Sequence, residues 1–213
     1  MVDARPVLVC HRGASALAPE NSLEAFRIAM QHGVDYSELD VYLGGQGELI
    51  VTHDAPADAL SERQLPRLSE VFDLVRGRMG IYVELKGDAT GQALADLVHR
   101  GAARDVHVIA GSFRHELVTE VRAAAPEIPR SVLFGGAWDV PAMVRACRKL
   151  DAAYAHPCFR PIDAALVDGL HAAGLIVMTP HTNDASEARD FVNIRVDVIA
   201  SDDPNVLLPL RTC

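Results

Sequence analysis

Short apolar runs rich in Val and Ile alternate along the chain with longer amphipathic stretches, a pattern typical of strand–helix units around a buried parallel sheet. The last six apolar runs begin 21 to 25 residues apart, which accommodates a strand, a helix and two loops. The predicted strands are 6–10, 35–43, 81–86, 106–112, 128–134, 152–157, 175–180 and 196–201. The predicted helices are 22–32, 69–77, 90–101, 114–124, 138–149, 163–173 and 184–192.

Eight such units predict an α/β fold of the (β/α)₈ barrel type, with residues 1–213 as a single domain. The alternative, an open doubly wound sheet, requires a glycine fingerprint after the first strand, where the sequence reads His11-Arg12-Gly13. Segment 35–53 interrupts the regular spacing and predicts a strand, a glycine turn and an extra hairpin strand. The chain after Pro204 leaves room only for a very short last helix.

The first helix carries its own boundary signals. Asn21, followed three residues later by Glu24, predicts a capping-box-like start at Asn21. Gly33 predicts the end of this helix, because glycine readily adopts the left-handed conformation that ends many helices.

The composition argues against nucleic acid and membranes as binding partners. A net charge of −9 without a basic run argues against nucleic acid, which is bound largely through its phosphates. Apolar stretches fall well below the roughly 20 residues of a membrane-spanning helix, so we expect no stable membrane insertion. Four cysteines without metal-like spacing and an N-terminus without a secretory pattern lead us to expect reduced thiols and a cytoplasmic location. Nothing in the sequence signals an oligomeric state.

Polar residues at the carboxyl ends of barrel strands converge on one mouth, where barrel active sites lie. Glu38 and Asp40 share one strand face, as do Glu84 and Lys86. Three carboxylates so close together repel one another unless a cation neutralises them, and Mg²⁺ or Ca²⁺ prefers such oxygen ligands. The candidates at the mouth are His11, Arg12, Glu38, Asp40, His53, Asp54, Glu84, Lys86, Ser112, His156, His181 and Asp202.

Simpler structural explanations compete with these assignments. Glu84 and Lys86 could form a structural ion pair, and Glu38 and Asp40 could belong to a half-exposed strand. His156 and His181 fit the mouth and the core equally well, because no spacing distinguishes the two.

Residues 11–54 contain the elements His-Arg-Gly, Pro-Glu-Asn, Glu-x-Asp and His-Asp in order, followed by Val-Glu-Leu-Lys at 83–86, Gly-Ser-Phe at 111–113 and Ser-Asp-Asp-Pro at 201–204. This series resembles the glycerophosphodiester phosphodiesterases, whose fold is a (β/α)₈ barrel. The resemblance implies metal-dependent hydrolysis of a glycerophosphodiester to glycerol 3-phosphate and an alcohol. By this resemblance His11 and His53 match the catalytic histidines, Arg12 and Lys86 match the phosphate-binding cations, and Glu38, Asp40 and Glu84 match the ligands of one divalent cation, Mg²⁺ or Ca²⁺.

Two departures from the family pattern concern the substrate beyond its phosphate. Relatives carry Trp-Thr-x-Asn at the seventh strand, where this chain has Pro180-His181-Thr182-Asn183. Only 55–68 separates the His-Asp pair from the next predicted helix, which predicts a reduced capping insertion. We therefore expect a sparse head-group pocket.

Three other functions compete with this interpretation. A phospholipase resembling sphingomyelinase D would need an apolar, membrane-binding rim, of which the sequence gives no sign. A non-catalytic barrel that binds phosphorylated metabolites would be expected to have lost a histidine or a carboxylate, and none is missing. A metal-dependent barrel lyase or isomerase would explain the carboxylates but not the two histidines beside them.

Overall fold

Alternating strands and helices run through residues 5–56 and 64–212, which are the residues that the structure, a computed structural model, describes. The strands are β1 (Val7–Cys10), β2 (Tyr36–Leu43), β3 (Leu49–Val51), β4 (Gly80–Leu85), β5 (Val108–Ser112), β6 (Arg130–Phe134), β7 (Tyr154–Pro157), β8 (Ile176–Val177) and β9 (Val198–Ser201). The helices are α1 (Leu23–His32), α2 (Leu68–Val75), α3 (Thr90–His99), α4 (His115–Ala124), α5 (Val140–Leu150), α6 (Ala164–Ala172), α7 (Ala185–Asn193) and α8 (Pro204–Leu207), followed by a 3₁₀ turn at Leu208–Thr212.

The strands form a parallel barrel. Strand β1 lies between β9 and β2, and the order continues from β2 through β4, β5, β6 and β7 to β8. A parallel bridge between Met178 and Val198 joins β8 to β9, supported by a hydrogen bond of 3.2 Å from the Thr179 amide to the Val198 carbonyl. The predicted (β/α)₈ barrel is therefore confirmed.

The predicted hairpin is also present, since β3 pairs antiparallel with β2 through Val41 and Val51. Half of the segment 55–68, in which a reduced cap was predicted, falls at 57–63, outside the described residues. No helix in the described part of the chain is long and apolar enough to cross a membrane. The single-domain organisation stays a prediction.

Strand alternation decides which side chains face the inside of the barrel. On β1, Leu8 and Cys10 pack outward against the helices, whereas Val9 joins a small cluster inside the barrel. On β2, Leu39 and Val41 likewise belong to the outer core. The residues between and beside them, Glu38 and Asp40, therefore point inward, as the sequence predicted.

The prediction for the start of α1 was wrong by one residue. Ser22, not Asn21, is the N-cap, and its side chain accepts a hydrogen bond from the Ala25 amide. Gly33 ends the helix in the left-handed conformation, with φ of 72°, as predicted. Asn21 does not cap the helix, and its side chain binds Asp40 instead.

Candidate active site

Three carboxylates meet inside the barrel at the carboxyl ends of β2 and β4. Asp40 and Glu84 are register partners on these neighbouring strands, and Glu38 lies two residues before Asp40 on the same face. Their carboxylate oxygens lie within 4.8 Å of one another. Glu38 and Asp40 are buried, and only 14% of the Glu84 side chain is exposed. The half-exposed strand considered from the sequence is thereby ruled out for Glu38 and Asp40.

Two cations border this carboxylate cluster. Lys86 Nζ lies 3.1 Å from Asp40 Oδ1 and 3.5 Å from Glu84 Oε1. Arg12 Nε lies 3.4 Å from Asp40 Oδ2, and the Arg12 guanidinium also binds Glu20. With Glu20 counted, the carboxylates around Arg12 and Lys86 outnumber these two cations.

The pKa values reflect this excess of negative charge. Burial raises the pKa of Glu38 well above its usual value, and the charges of Asp40 and Glu84 raise it further. Burial and Asp40 raise the pKa of Glu84 to about 7, although Lys86 opposes the shift. Burial alone would lower the pKa of Lys86, but Glu84 and Asp40 outweigh it and raise that pKa. Added positive charge would therefore stabilise the ionised form of these carboxylates.

A tight turn after β1 brings the main chain to the carboxylate cluster. Arg12 and Gly13 have φ values of 56° and 77°, in the left-handed region. A Cβ on Gly13 would lie 2.7 Å from the Ala25 Cβ, so only glycine allows the turn to pack against α1. This turn points the Arg12 amide at Glu38 Oε2, 2.9 Å away.

Asn21 fixes the orientation of the innermost carboxylate. Its Nδ2 donates to Asp40 Oδ2 at 3.1 Å, and its φ of 56° is again in the left-handed region. Such backbone strain typically persists where surrounding contacts require it. Asn21 stands in the Pro-Glu-Asn element of the sequence, which carries the signal for this role better than the capping pattern did.

His11 follows β1 and is oriented by a carboxylate from the other end of the chain. Its Nδ1 lies 2.7 Å from Asp202 Oδ1, and Asn183 Nδ2 donates to Asp202 Oδ2 at 2.7 Å. Burial would raise the pKa of Asp202, but these two hydrogen bonds outweigh it and hold that pKa below its usual value. An ionised carboxylate only accepts hydrogen bonds, so His11 Nδ1 carries the proton and Nε2 is left free, 4.0 Å from Glu38 Oε2.

His53 reaches the same cavity from the segment after β3. Its Nδ1 pairs with Asp54 Oδ1 at 2.9 Å, which leaves Nε2 available, and 36% of its side chain is exposed. The hairpin strand β3 thus delivers a second imidazole to the site, on a less buried side of it.

These groups surround a cavity of about 310 Å³ at the mouth of the barrel. Six of the seven site residues predicted from the sequence line it, and the seventh, Asp40, lies behind them with 1% exposure. The remaining wall is formed by residues that the sequence left unassigned or did not single out, among them Tyr82, Phe113, His156, Cys158, Arg160, Pro180 and His181.

His156 proves to be a buried residue with both ring nitrogens bonded. Its Nδ1 faces the Tyr82 hydroxyl at 3.3 Å, and its Nε2 faces the Thr179 carbonyl at 3.1 Å. Burial, opposed by the Thr179 bond, lowers the pKa of His156 to about 3, so the ring is neutral near pH 7. His181, by contrast, is half exposed and stacks on His11.

The donor set of the carboxylate cluster fits a divalent cation. Carboxylate oxygens are the ligands that Mg²⁺ and Ca²⁺ prefer, and three of them lie within reach of one ion here. A divalent ion would offset the excess of negative charge in this cluster. A possible acidic site for a metal is therefore present beside the two cations.

The fold and this cavity define a barrel enzyme with its polar groups arranged for a phosphate ester. The family model described as "Glycerophosphoryl diester phosphodiesterase family" matches residues 11–76 and 80–206. The chain belongs to this family of phosphoric diester hydrolases, which confirms the resemblance seen in the sequence.

Individual relatives match over nearly their whole length. A glycerophosphodiester phosphodiesterase of Caldanaerobacter subterraneus subsp. tengcongensis is 26% identical over 97% of this chain and 98% of its own. A phosphodiesterase of Oleispira antarctica, solved with the product sn-glycerol-3-phosphate, is 25% identical with a TM-score of 0.86 over 98% of each chain. A glycerophosphodiester phosphodiesterase of Agrobacterium tumefaciens is 27% identical with a TM-score of 0.76, over 94% of this chain and 98% of its own.

Proposed function

We propose that this enzyme hydrolyses glycerophosphodiesters to glycerol 3-phosphate and an alcohol, with one divalent cation, Mg²⁺ or Ca²⁺, bound by Glu38, Asp40 and Glu84. The observation that carries the proposal is the meeting of these carboxylates with two cations and two histidines in a single cavity. The small-molecule substrate is supported by the relative from Oleispira antarctica, which was solved with sn-glycerol-3-phosphate.

The phosphate of the substrate would lie between Arg12 and Lys86, which border the carboxylate cluster. A bound divalent ion supplies a Lewis acid that polarises a phosphoryl oxygen. Arg12 and Lys86 add fixed positive charge where negative charge gathers on the nonbridging oxygens in the transition state. Because both cations are already held by carboxylates, they need little reorganisation during the reaction.

His11 and His53 divide the proton transfers. One imidazole takes the proton of the attacking group, which is either water or a glycerol hydroxyl of the substrate, and the other delivers a proton to the alkoxide that leaves phosphorus. After attack by the glycerol hydroxyl, water opens the resulting cyclic phosphate. Both rings keep Nδ1 on a carboxylate, so Nε2 is the atom that exchanges the proton in each case. Asp202 additionally stabilises the imidazolium form of His11 while that residue holds the extra proton.

The decisive experiment measures release of glycerol 3-phosphate from the glycerophosphodiesters of choline, ethanolamine, inositol and glycerol in the presence of Mg²⁺ or Ca²⁺. Lysophosphatidylcholine and sphingomyelin serve as comparison substrates for the phospholipase alternative. We expect turnover of the glycerophosphodiesters and none of the two lipids. Binding without turnover would instead identify a non-catalytic barrel, and turnover of the lipids alone would identify a phospholipase. The cytoplasmic location and the absence of a nucleic-acid partner stay predictions.

A further inference from the structure

The ring of His181 lies flat against the ring of His11. The two ring centroids are 4.0 Å apart and the ring planes are inclined by only 8°. His181 follows Pro180 in the segment between β8 and α7. The stack therefore pairs His11, the proposed proton-transfer residue, with a side chain to which no role has been assigned.

A single hydrogen bond does not fix the plane of an imidazole. The bond from His11 Nδ1 to Asp202 Oδ1, 2.7 Å long, holds one nitrogen in place. The ring can still turn about that bond and carry Nε2 away from the substrate. A flat neighbour in van der Waals contact with one face opposes this rotation. Asp202 therefore fixes the position of His11 Nδ1, and His181 fixes the plane of the His11 ring.

His181 is itself held by its surroundings. Its carbonyl accepts a hydrogen bond of 3.1 Å from Arg160 Nη2, and Arg160 forms a further bond of 2.7 Å to Glu187. The amide of the next residue, Thr182, donates to the Ala200 carbonyl at 2.9 Å. The peptide that follows His181 is thus held at both its carbonyl and its amide.

The same geometry argues against a metal at these residues. Ligand atoms of His11, His181 and Asp202 lie within 4.8 Å of one another, which is close enough for a common ion. Imidazole lone pairs lie in the ring plane, however, and the planes of stacked rings run side by side. The two nitrogens therefore do not converge on one ion. His181 Nε2 is also 4.0 Å from Asp202 Oδ2, too far for a hydrogen bond.

We propose that His181 is a positioning residue that holds the His11 imidazole, through its ring face, with Nε2 directed at the substrate. The role requires an aromatic plane and not a ring nitrogen. Its consequence for catalysis rests on the proposed function, whereas its effect on the order of the His11 ring does not.

A matched pair of variants separates the ring face from simple packing. His181→Phe keeps a flat face and lacks the nitrogens, whereas His181→Leu lacks both. We expect His181→Phe to retain kcat on glycerophosphocholine within about threefold, and His181→Leu to lose about tenfold or more with little change in KM, because a misplaced catalytic group costs up to about 10²-fold. Thermal unfolding of each variant confirms that the fold is kept, and His181→Ala replaces the leucine variant if that one unfolds.

A second measurement needs no turnover. The Nδ1 proton of His11, assigned in proton NMR spectra by its loss in His11→Ala, reports how well the ring is held on Asp202. We expect this signal to persist in His181→Phe and to broaden in His181→Leu. The proposal is overturned if His181→Leu keeps both kcat and the signal, or if His181→Phe falls to the level of His181→Leu. If the wild-type enzyme hydrolyses no glycerophosphodiester, the proposed function fails while the NMR comparison still decides the role of His181.

Discussion

The two halves of the barrel mouth are built differently. In the half formed by β1, β2 and β4, charged side chains face one another: Lys86 bridges Asp40 and Glu84, and Arg12 reaches Asp40. In the half formed by β5 to β8, most polar side chains of the described wall are bonded within the protein, and the half-exposed ring of His181 is an exception. His156 uses both ring nitrogens on Tyr82 and Thr179, and Arg160 is bound to Glu187.

Under the proposed function, the first half carries out the reaction and the second recognises the head group. The half with β1, β2 and β4 holds fixed charges that would act on any phosphodiester, whatever alcohol it carries. The opposite half would contact the head group, and its hydrogen-bonding capacity is largely used within the protein. The comparison predicts large effects for substitutions in the first half and small differences between head groups in the second.

The largest effect is expected from the carboxylate cluster. Glu84→Ala, or exhaustive chelation of the wild-type enzyme, should reduce turnover by about 10³-fold or more, since a Lewis acid at phosphorus contributes several kcal/mol to the transition state. Steady-state assays with and without chelator measure the loss, and added Mg²⁺ or Ca²⁺ should restore only the wild type. Glu127→Ala, an exposed carboxylate near the opposite end of the barrel, is the control and should behave as wild type. Full activity in chelator would refute metal dependence.

The two histidines come next. His11→Ala and His53→Ala should each lower kcat by roughly 10²–10⁴-fold, the usual contribution of a general acid or base. His99→Ala, at the end of α3 and exposed, is the matched control and should leave kcat unchanged. A variant that keeps more than about a third of the wild-type kcat has no proton-transfer role, and a change confined to KM indicates binding instead.

The sequence predicted the half of the mouth with β1, β2 and β4 better than the other, and the reason is physical. Strand alternation alone places Glu38 and Asp40 on one face, and the His-Arg-Gly turn is a local feature. The contact of His11 with Asp202 spans 191 positions and exists only because the barrel closes between β9 and β1. No local pattern contains that register, so Asp202 could be named a candidate but not given a partner.

The same limit applies to the residues around β7 and β8. Whether His156 is buried or His181 is exposed depends on how β8 meets β9, where the described contact is one bridge and a few hydrogen bonds. At Asn21 a local signal was present but misleading. The sequence predicted a helix cap there, whereas the Asn21 side chain binds Asp40, a contact that only the folded chain creates. Spacing therefore locates strands reliably but does not tell which polar atoms remain free.

A smaller effect is expected in the stability of the metal-free protein. The folded-state pKa of Glu84 is raised to about 7 from an ordinary value of 4.5, so the folded state binds a proton that the unfolded state releases. The contribution of Glu84 to the free energy of unfolding is fully present below about pH 4.5. It is lost as pH rises through about 7, and the loss is on the order of 3 kcal/mol. Denaturant unfolding between pH 5 and 8 should show wild type losing stability relative to Glu84→Gln. Saturating divalent cation should reduce that difference, and equal slopes for the two proteins would contradict the prediction.

The smallest effect is expected among head groups. On the wall around β5 to β8, the Cys158 thiol bonds to the His156 carbonyl, and Pro180 offers no side-chain hydrogen-bonding group. Phe113, with 45% exposure, offers an apolar surface to any alcohol. Apolar contacts of this kind distinguish substrates by only about 1–3 kcal/mol, whereas strong discrimination requires polar groups that are left unpaired by the wrong substrate. We therefore expect kcat/KM for the choline, ethanolamine, inositol and glycerol diesters to vary by less than about tenfold, or roughly 1.4 kcal/mol. A preference above about a hundredfold would mean that polar groups such as His156 and His181 form a specific head-group pocket after all.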